Sequence, residues 1–414
     1  MVGAGAAGLM AAIAAARTTR AADASLHILL LDTKPKIGAK ILMSGGTRCN
    51  VTNKEVKPSD FQGGSGHFVK HILEAFTPHE TIKFFKEIGV ELVLEPTGKY
   101  FPATHSAQTV LNALTKEAGR LGVDLKTGIR IAQIKKSGDR FHLRGDGLSS
   151  PFQVTARKVI LTTGGLSYPT TGSDGTGYGI AKSLGHTVVD TFPALTPLLA
   201  DENPWKALSG ISVEAKLSFL KKGKRQCECR GPLLFTHFGF SGPAALDISR
   251  HFAGAKQEDR PEIVASFLPQ YQEESLHEAL RSLQKEDPNK RIKNILTGKF
   301  SLPGRFVETF LKKINITGDE PIGKSSKEIR QKLARGLLHY PLEVTGVFGY
   351  KKAEVTVGGV DLKEVKVSTL ESKLADGLYF AGEILDVDGR IGGFNFQWAW
   401  STGAVAGRHA AASL

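Results

Sequence analysis

Gly3-Ala4-Gly5-Ala6-Ala7-Gly8 stands at the start of the chain and leads directly into an Ala-rich run at residues 9–20. The stretch fits G-x-G-x-x-G, in which the first glycine makes a tight turn, the second lets a pyrophosphate approach and the third lets helix and strand pack closely. The pattern alone is weak evidence, because small residues also begin many packed helices. The context strengthens it, because residues 27–31 read as a buried parallel strand and Asp32 follows about 20 residues past the turn, where a carboxylate can hold ribose hydroxyls. The sequence therefore predicts dinucleotide binding.

Only Met1 and Val2 precede this turn, whereas the strand expected there is typically about 5–6 residues long. That strand would normally lie near the middle of the parallel sheet, buried on both faces. We therefore expect that the start has been set too late or that the chain has been trimmed, and that a short apolar strand is encoded upstream. In its absence we expect an open position at the centre of the sheet.

The composition is that of an ordinary soluble protein, with 41% hydrophobic and 23% charged residues, and the length of 414 residues suggests two or three domains. No apolar run is long enough to cross a bilayer, and there is no signal-peptide pattern. The three cysteines, Cys49, Cys227 and Cys229, make neither a disulfide framework nor a four-ligand zinc site. The sequence therefore predicts a cytoplasmic protein without a metal centre or a membrane span.

The chain carries a net charge of +13, from 54 Lys and Arg against 41 Asp and Glu. Such an excess can mark a protein that binds nucleic acid or anionic lipid. Here the positive residues are spread out, and the short clusters at residues 221–225 and 290–293 stand beside acidic residues. No aromatic residues interleave with them to form a stacking platform. We therefore expect a solvated basic surface, with nucleic acid disfavoured as a partner and the oligomeric state left open.

The pattern of strands and helices divides the chain into two segments of one nucleotide-binding domain and an insertion between them. Buried strands next to Gly-rich turns are typical of residues 1–190 and again of residues 351–414, which predicts an α/β fold with a parallel sheet. Residues 191–350 begin with strands of a small antiparallel or barrel-like unit and continue with a helical part, near residues 260–340. We expect this insertion to have its own core.

The second segment contains a short buried strand that runs into Gly382 and Glu383. Gly392 and Gly393 then lead into a second Ala- and Gly-rich helix. This arrangement provides two things that a flavin requires. The carboxylate can bind a hydroxyl of the ribityl chain, and the helix N-terminus can stabilise negative charge on the pyrimidine side of the reduced ring.

Several stretches together resemble the BaiN/RdsA-like (aminoacetone-oxidase-like) flavoproteins. They are the first turn with Asp32, the run Ser44-Gly45-Gly46-Thr47-Arg48-Cys49-Asn50 within residues 38–53, and residues 231–243, 355–360 and 380–403. The resemblance spans almost the whole chain and departs from the family at Thr47, where a third glycine is usual. It implies an FAD-dependent, often NAD(P)H-linked, oxidoreductase. Its implied fold is a glutathione-reductase-type FAD-binding Rossmann-like domain, interrupted by an antiparallel β-barrel plus a helical subdomain.

The resemblance and the two Gly-rich turns predict which residues hold FAD. Lys40, Arg48 and Asn50 would grip the pyrophosphate and the flavin edge, for which the alternative is a solvated loop. The full set of expected contacts is Gly3, Gly5, Ala6, Ala7, Gly8, Asp32, Lys40, Arg48, Cys49, Asn50, Ile131, Thr163, Gly164, Gly382, Glu383, Gly393, Asn395 and Phe396. Cys49 could be a redox thiol, a covalent attachment point or a small buried hydrophobe beside the flavin. We favour the last, because no partner cysteine is near in sequence.

Two residues are candidates for a catalytic acid. His237 lies in a stretch that matches the family, and it could protonate the substrate as the flavin delivers hydride. Its alternative is a core histidine bonded to backbone. Tyr100, followed closely by Pro102, is a weaker candidate for the same role. No Ser-His-Asp arrangement, metal-ligand cluster or G-x-x-x-x-G-K-[ST] phosphate loop is readable in the sequence.

The activity implied by the resemblance is hydride transfer between NAD(P)H, flavin and a small organic substrate, with reduction of an activated double bond or a ketone. NAD(P)H would reduce the flavin from solvent, because the Gly-rich residues 172–177 lack the acidic residue of a second dinucleotide fold. Two alternatives stay open. One is an oxygen-using oxidase of a small amine or aminoketone, and the other is a flavin-containing protein that binds or modifies nucleic acid.

Overall fold

The computed structural model describes residues 1–22, 26–147, 150–201 and 203–413. The chain divides into two compact units, and the boundaries between them lie a few residues after the predicted boundaries at residues 190 and 350. The first unit is built from Met1–Pro193 and Glu354–Leu414, and the second is the intervening Ala194–Ala353. No helix of the described residues is both long and apolar enough to cross a membrane.

The helices and strands follow one another in three blocks along the chain. The first block contains α1 Ala6–Ala21, β1 Leu29–Asp32, α2 Ala39–Thr47, β2 Thr52–Asn53, β3 Phe61–Gln62, α3 Gly66–Ala75, α4 Pro78–Glu87, β4 Leu92–Leu94, β5 Lys99–Pro102, α5 Ala107–Arg120, β6 Asp124–Thr127, β7 Arg130–Ser137, β8 Arg140–Asp146, β9 Pro151–Ala156, β10 Val159–Leu161, α6 Thr176–Ser183 and β11 Val188–Ala194. The second block contains β12 Leu198–Leu199, β13 Ser212–Lys221, β14 Lys224–Thr236, β15 Gly239–Ser241, α7 Pro243–Ala253, β16 Pro261–Ser266, α8 Glu273–Glu286, α9 Ile292–Gly298, α10 Gly304–Lys313, α11 Lys327–Leu338, β17 Tyr340–Leu342 and β18 Gly346–Val347. The last block contains β19 Val355–Val360, β20 Leu378–Phe380, β21 Asp388–Gly389 and α12 Phe394–Ala412.

A parallel sheet forms the centre of the first unit. β1 pairs with β6, and β10 pairs with β20, both in parallel register. Residues 1–3 lie between these two pairs, since Val2 forms parallel bridges to Leu31 of β1 and to Leu161 of β10. The order across the sheet is therefore β6, β1, residues 1–3, β10, β20. Backbone pairing of the first residues fills the carboxyl end of the central position, so the expected opening is confined to the other end of that position.

The other end of this central position is a cavity of about 370 Å³. Its wall includes Met1, the first residues of the two neighbouring strands, Leu29 and Val159, and Ala15 and Ala410 from α1 and α12. The ammonium of Met1 donates to the carbonyl of Leu29 at 2.7 Å, and burial lowers the pKa of this ammonium to about 5. The sheet is therefore continuous at its carboxyl edge, where the first Gly-rich turn begins.

The two helices that begin at the Gly-rich turns, α1 and α12, pack along each other in parallel. A Cβ added at Gly403 would lie 2.6 Å from the carbonyl oxygen of Ala7, and one at Gly407 would lie 2.2 Å from that of Ala11. Contacts this short exclude larger side chains at both glycines, because protein interiors are close-packed. Backbone-to-backbone packing therefore holds the two helices, and the turns that precede them, in a fixed arrangement.

β7, β8 and β9 form a separate antiparallel sheet of the first unit. Burial alternates along its central strand, in which Phe141 and Leu143 are buried while Arg140, His142 and Arg144 are exposed. Successive side chains of a strand point to opposite faces. One face of this sheet therefore joins the hydrophobic core, and the other is exposed to solvent.

The second unit is built on a seven-stranded antiparallel sheet in the order β17, β16, β13, β14, β15, β12, β18. Its core includes the aromatic side chains Trp205, Phe235, Phe267, Phe306 and Phe310. The expected closed barrel is corrected by this topology, because among the described residues no pairing joins β17 to β18. Closure requires every strand to pair on both sides, and these edges are only three and two residues long.

Candidate functional site

The Gly-rich turn at the start of the chain leads from the sheet into α1. Gly3 has a φ of +107°, and a Cβ there would lie 2.5 Å from the carbonyl oxygen of Thr162. A Cβ at Gly8 would lie 1.9 Å from the carbonyl oxygen of Gly3, so this position packs the helix against the turn. Gly5 differs, because beyond its immediate neighbours no described heavy atom lies within 4 Å of the position of its Cβ. The turn therefore presents open space at the N-terminus of α1, where an anion such as a pyrophosphate is stabilised.

Asp32 ends β1 directly beside this turn. Its Oδ2 accepts the amide N–H of Ala4 at 2.7 Å, and its Oδ1 accepts that of Lys34 at 2.8 Å. Burial raises the pKa of the Asp32 carboxyl, and the two amides and the charge of Lys34 act in the opposite direction. A carboxylate offers about four lone-pair positions, so the amides leave acceptor capacity for ribose hydroxyls. The two amides thus fix the orientation of the Asp32 side chain and leave part of its hydrogen-bond acceptor capacity unused.

A polar cluster joins α2 to the end of β20. Nζ of Lys40 donates to Oε2 of Glu383 at 2.6 Å and to Oγ of Ser167 at 2.7 Å. Oε1 of Glu383 accepts the hydroxyl of Ser167 at 2.6 Å and the amide of Thr356 at 3.0 Å. Lys40 therefore holds a carboxylate from the other segment of the unit, a contact that the predicted role at the pyrophosphate and the flavin edge did not include. Among the described residues, one N–H of Lys40 and one lone pair on Oε2 of Glu383 stay unused, so the pair offers a donor and an acceptor side by side.

The loop at the end of α2 follows a left-handed backbone path. Gly45, Gly46, Thr47 and Cys49 have φ values of 56°, 67°, 68° and 62°. A non-glycine residue pays roughly 1–2 kcal/mol for this conformation. Thr47 therefore adopts the conformation that a glycine would take at the position where the sequence departs from the resembled family.

Arg48 and Cys49 follow Thr47. The side chain of Arg48 is partly exposed, whereas that of Cys49 is buried. Nη1 of Arg48 lies 2.6 Å from Oε1 of Glu95, and its guanidinium lies 4.0 Å from the ring centroid of Phe101. Arg48 is thus already engaged with protein groups. The thiol of Cys49 is buried, and burial raises its pKa to about 12. Such a thiol is not a nucleophile at neutral pH, which favours the packing interpretation over a redox or covalent role.

Asn50 lies against the start of α12. The residue is 8% exposed, and its Oδ1 has no hydrogen-bond partner among the described residues. Gly393, which directly precedes α12, comes so close that a Cβ on it would lie 2.7 Å from this oxygen. The first amides of the helix, up to Phe396, have no acceptor within the helix itself, as at every helix start. An orphaned acceptor and a set of helix donors therefore meet at this end of α12.

These features fit the pyrimidine edge of a flavin. That edge presents a donor, N3–H, between two carbonyl oxygens, so it complements Oδ1 of Asn50 together with the amides and dipole of a helix N-terminus. An unpaired buried acceptor costs about 1–3 kcal/mol, which a bound donor would recover. The space at Gly5, the carboxylate of Asp32 and the start of α12 are thus suited to the pyrophosphate, the ribose and the ring of FAD.

Five other predicted cofactor residues lie in the same unit. Ala6 and Ala7 are the first residues of α1, where their amides belong to the anion-binding end of the helix. Thr163 and Gly164 lie two and three residues after the end of β10, and a Cβ at Gly164 would lie 2.6 Å from Oγ of Ser173. Ile131 is buried near the start of β7.

Two of the predicted cofactor residues, Gly382 and Asn395, form hydrogen bonds within the protein itself. The amide of Gly382 donates to Oγ1 of Thr402 at 2.9 Å. The side chain of Asn395 exchanges two hydrogen bonds of 2.8 Å with the backbone of Gly389, so it shapes the loop before α12. Ser167 and Thr356, which hold Glu383, were not among the residues predicted from the sequence. Their only signals are a small hydroxyl shortly after the Gly-Gly end of β10 and a threonine within the family-like residues 355–360.

The two candidate acids lie in different units. His237 is exposed in the turn between β14 and β15, with its ring 4.9 Å from that of Phe238 in an edge-to-face contact. The alternative of a core histidine is therefore wrong. Tyr100 is half-buried in β5, opposite Thr52 of β2. In the described part of the chain, no group of three or more His, Cys, Asp or Glu side chains could hold a metal ion.

The chain is similar to a known protein family and to several characterised enzymes over almost its whole length. The family model for the HI0933-like protein Rossmann domain matches residues 1–409. A 3-dehydro-bile acid delta(4,6)-reductase of Clostridium scindens is 36% identical over 413 residues, which is 99% of this chain and 98% of that protein. Ribosomal RNA dihydrouridine synthases of Haemophilus influenzae and Escherichia coli are 34% and 33% identical, each over 97% of this chain and 95% of the relative.

The fold also has a counterpart among solved structures. A 3-ketosteroid-delta4-(5alpha)-dehydrogenase of Rhodococcus jostii RHA1 aligns with a TM-score of 0.50 and 17% identity, over 99% of this chain and 95% of that one. At this identity the likeness concerns the fold alone. The family match and the full-length relatives carry the assignment, and the resemblance seen in the sequence is confirmed. The chain belongs to the HI0933-like (BaiN/RdsA) family of Rossmann-fold flavoprotein oxidoreductases.

Proposed function

We propose that this protein is an FAD-dependent reductase of a carbon–carbon double bond conjugated to a carbonyl group, with NAD(P)H as the electron donor. The observation that carries the proposal is the chemistry shared by its relatives. One is named for a delta(4,6) bond system in a 3-dehydro bile acid, and two are named for making dihydrouridine. A 3-dehydro steroid carries a ketone in conjugation with such bonds, and the uridine bond lost in dihydrouridine is conjugated to a ring carbonyl.

The residues of the first unit have separate tasks in this proposal. FAD supplies the hydride when it is bound. The open space at Gly5 receives its pyrophosphate, and Asp32 accepts hydrogen bonds from the ribose hydroxyls. Glu383, held by Lys40, accepts a hydroxyl of the ribityl chain. Oδ1 of Asn50 accepts N3–H, which orients the ring and excludes cofactors that lack this donor.

The reduction is completed by a proton that reaches the carbon next to the carbonyl. Tyr100 Oη and an imidazole nitrogen of His237 are the side-chain sources that we propose. A lost general acid typically costs about 10²–10⁴ in rate. In Tyr100→Phe or His237→Ala, loss of the acid would slow reoxidation of the flavin by substrate and spare its reduction by NAD(P)H. Equal slowing of both half-reactions would instead assign a structural role.

Anaerobic stopped-flow mixing tests the proposed activity. FAD-loaded protein is first mixed with NADH or NADPH, and bleaching of the visible flavin band reports reduction. The reduced protein is then mixed with a conjugated steroid enone, its saturated ketone and an alkene without a carbonyl. We expect reoxidation by the enone alone. Reoxidation only by oxygen, or reduction by a small aminoketone instead of NAD(P)H, would reject the reductase in favour of the oxidase alternative.

A second candidate is reduction of uridine within RNA. It is favoured by the two ribosomal RNA dihydrouridine synthases, whose similarity extends over 97% of this chain, and by the net charge of +13. The test is incubation of the reduced protein with ribosomal RNA from a strain lacking dihydrouridine, followed by mass spectrometry of its nucleosides. Appearance of dihydrouridine would support this substrate. Turnover of the enone with no dihydrouridine would restrict the activity to small molecules.

A further inference from the structure

The exposed face of the β7–β9 sheet carries positive charges that no role described above uses. We call it the meander face, and its exposed members include Gln133, Lys135, Arg140, His142, Arg144 and Gln153. The strand register brings them together, since Arg144 lies opposite Gln133 on one side and Gln153 on the other. Lys135 lies opposite His142 in the same way. The positive residues of the face all lie within residues 135–144, and strand pairing places Gln133 and Gln153 beside them.

The charges of the meander face are largely unneutralised. Of its residues, only Arg140 takes part in an ion pair with a described residue, and there its Nε lies 4.0 Å from Oδ1 of Asp139, which is 84% exposed. Lys135 and Arg144 have no such carboxylate partner in the described chain. One further exposed carboxylate, Asp146, ends β8, and an exposed basic residue, Arg157, follows β9.

The basic clusters at residues 221–225 and 290–293 carry more ion pairs, although Lys222 and Lys224 form none with a described residue. Arg225 lies 2.9 Å from Glu228. Arg291 and Lys293 both contact Asp319, at 2.9 and 2.7 Å. Exposed ion pairs of this kind contribute little to stability, but they remove the net attraction for a distant anion. The meander face is therefore the better match for a polyanion.

We propose that the meander face docks a strand of RNA through its phosphates. The proposal rests on the second candidate above, in which a uridine of RNA is the substrate. Lys135, Arg140 and Arg144 would replace condensed counterions on the strand, which is the main source of affinity in such contacts. The amides of Gln133 and Gln153, which flank Arg144, add neutral donors. The described residues of this face include no Phe, Tyr or Trp on which bases could stack, so the face holds the strand without reading its sequence.

A pair of matched triple variants tests this surface. The first is Lys135→Gln with Arg140→Gln and Arg144→Gln. The control is Lys222→Gln with Lys224→Gln and Arg225→Gln, which removes the same number of positive charges from the exposed hairpin of the second unit. Binding of a fluorescein-labelled oligouridylate is measured by anisotropy over a series of salt concentrations. The slope of log K against log salt changes by about 0.7 for each phosphate contact on a single strand.

We expect the first variant to lose about two units of this slope, corresponding to three contacts, and to bind at least tenfold more weakly at low salt. The control should keep both the slope and the affinity of the unchanged protein. Equal losses in the two variants, an unchanged first variant, or unchanged protein without salt-dependent RNA binding would each overturn the proposal. So would stronger binding to phosphatidylglycerol vesicles than to RNA through the same three residues.

Turnover of the steroid enone separates this proposal from the proposed function. None of the substituted residues belongs to the cofactor site, so both variants should reduce the enone at the rate of the unchanged protein and keep its melting temperature. Weakened RNA binding with intact enone turnover supports the docking face. If the protein binds RNA through the meander face but reduces no enone, the proposal of an enone reductase is rejected and the proposal of the docking face is kept.

Discussion

Nζ of Lys40 lies 2.6 Å from Oε2 of Glu383, although 343 positions separate the two residues in the chain. Their side chains are only 25% and 20% exposed, so both charges lose much of their hydration. Ser167 and Thr356 offset part of this cost, because they bond to the other carboxylate oxygen. The pair thereby ties α2 to the end of β20 and fixes the carboxylate that we assign to the ribityl chain.

Lys40→Met should weaken FAD binding because it leaves the carboxylate of Glu383 without its cationic partner. We expect a loss of about 1.5–3 kcal/mol, the usual value for a hydrogen bond to a charged group, which corresponds to roughly a tenfold to hundredfold rise in Kd. Titration of FAD fluorescence measures it. Lys36→Met, which removes an exposed lysine that precedes the same helix, is the matched control and should leave the Kd unchanged. Equal Kd values in both variants would contradict the assignment.

Asp32→Ala should release FAD and also loosen the first turn, because the carboxylate accepts the amides of Ala4 and Lys34. Asp32→Asn keeps one carbonyl oxygen for an amide but loses the charge that favours ribose hydroxyls. We therefore expect flavin loss after dialysis in both variants, with a lower melting temperature mainly in Asp32→Ala. Charge-assisted hydrogen bonds are worth about 1.5–3 kcal/mol each. Full flavin occupancy in Asp32→Asn would show that the ribose lies elsewhere.

Cys49 should resist alkylation in the folded protein. With a pKa of about 12, roughly one thiol in ten thousand is ionised at pH 8, and only the thiolate is nucleophilic. Iodoacetamide treatment followed by peptide mass spectrometry should therefore find Cys49 unmodified before denaturation and modified after it. The partly exposed Cys227 serves as an internal comparison. Rapid native labelling of Cys49, or flavin that stays covalently with its peptide after acid precipitation, would contradict the packing role.

The second unit should lose stability in mild acid through His251. Burial, followed by the charges of Arg250 and Lys221, lowers the pKa of this imidazole from 6.5 to about 4. The unfolded chain therefore binds a proton near pH 6.5 that the folded chain refuses, so the free energy of unfolding falls as the pH drops from 6.5 towards 4. His251→Gln should flatten this part of a plot of melting temperature against pH. Parallel curves for the two proteins would rule out His251 as the source.

Local sequence determines the nucleotide turns, and distant pairing determines most of the remaining site. The three glycines of the first turn and the strand ending at Asp32 follow from spacing within one short stretch, so they were predictable. The cluster around Glu383 was not, because Ser167 and Lys40 lie 216 and 343 positions away from it. No periodicity in a single sequence reports such a pairing.

The second unit shows the same limit. Its strands have the expected texture, but whether a sheet closes depends on the pairing of its edges, and β17 and β18 are too short to show this in sequence. His237 shows this limit for a single residue. From the sequence, a buried core histidine and a catalytic acid were both open interpretations. The hairpin turn between β14 and β15 exposes it, a placement that depends on where the strands end.

The close packing of α1 against α12 has a consequence for biosynthesis. α1 leaves the ribosome early, but Gly403 and Gly407, on which its backbone rests, follow only after all of Ala194–Ala353 has been made. The second unit is continuous in sequence and has its own core, so it can fold while the first unit still lacks β20 and α12. We therefore expect nascent chains to expose the apolar side of α1 and to lack the part of the proposed flavin site that α12 supplies. Cofactor loading is then expected to come late, after α12 has been translated and has docked.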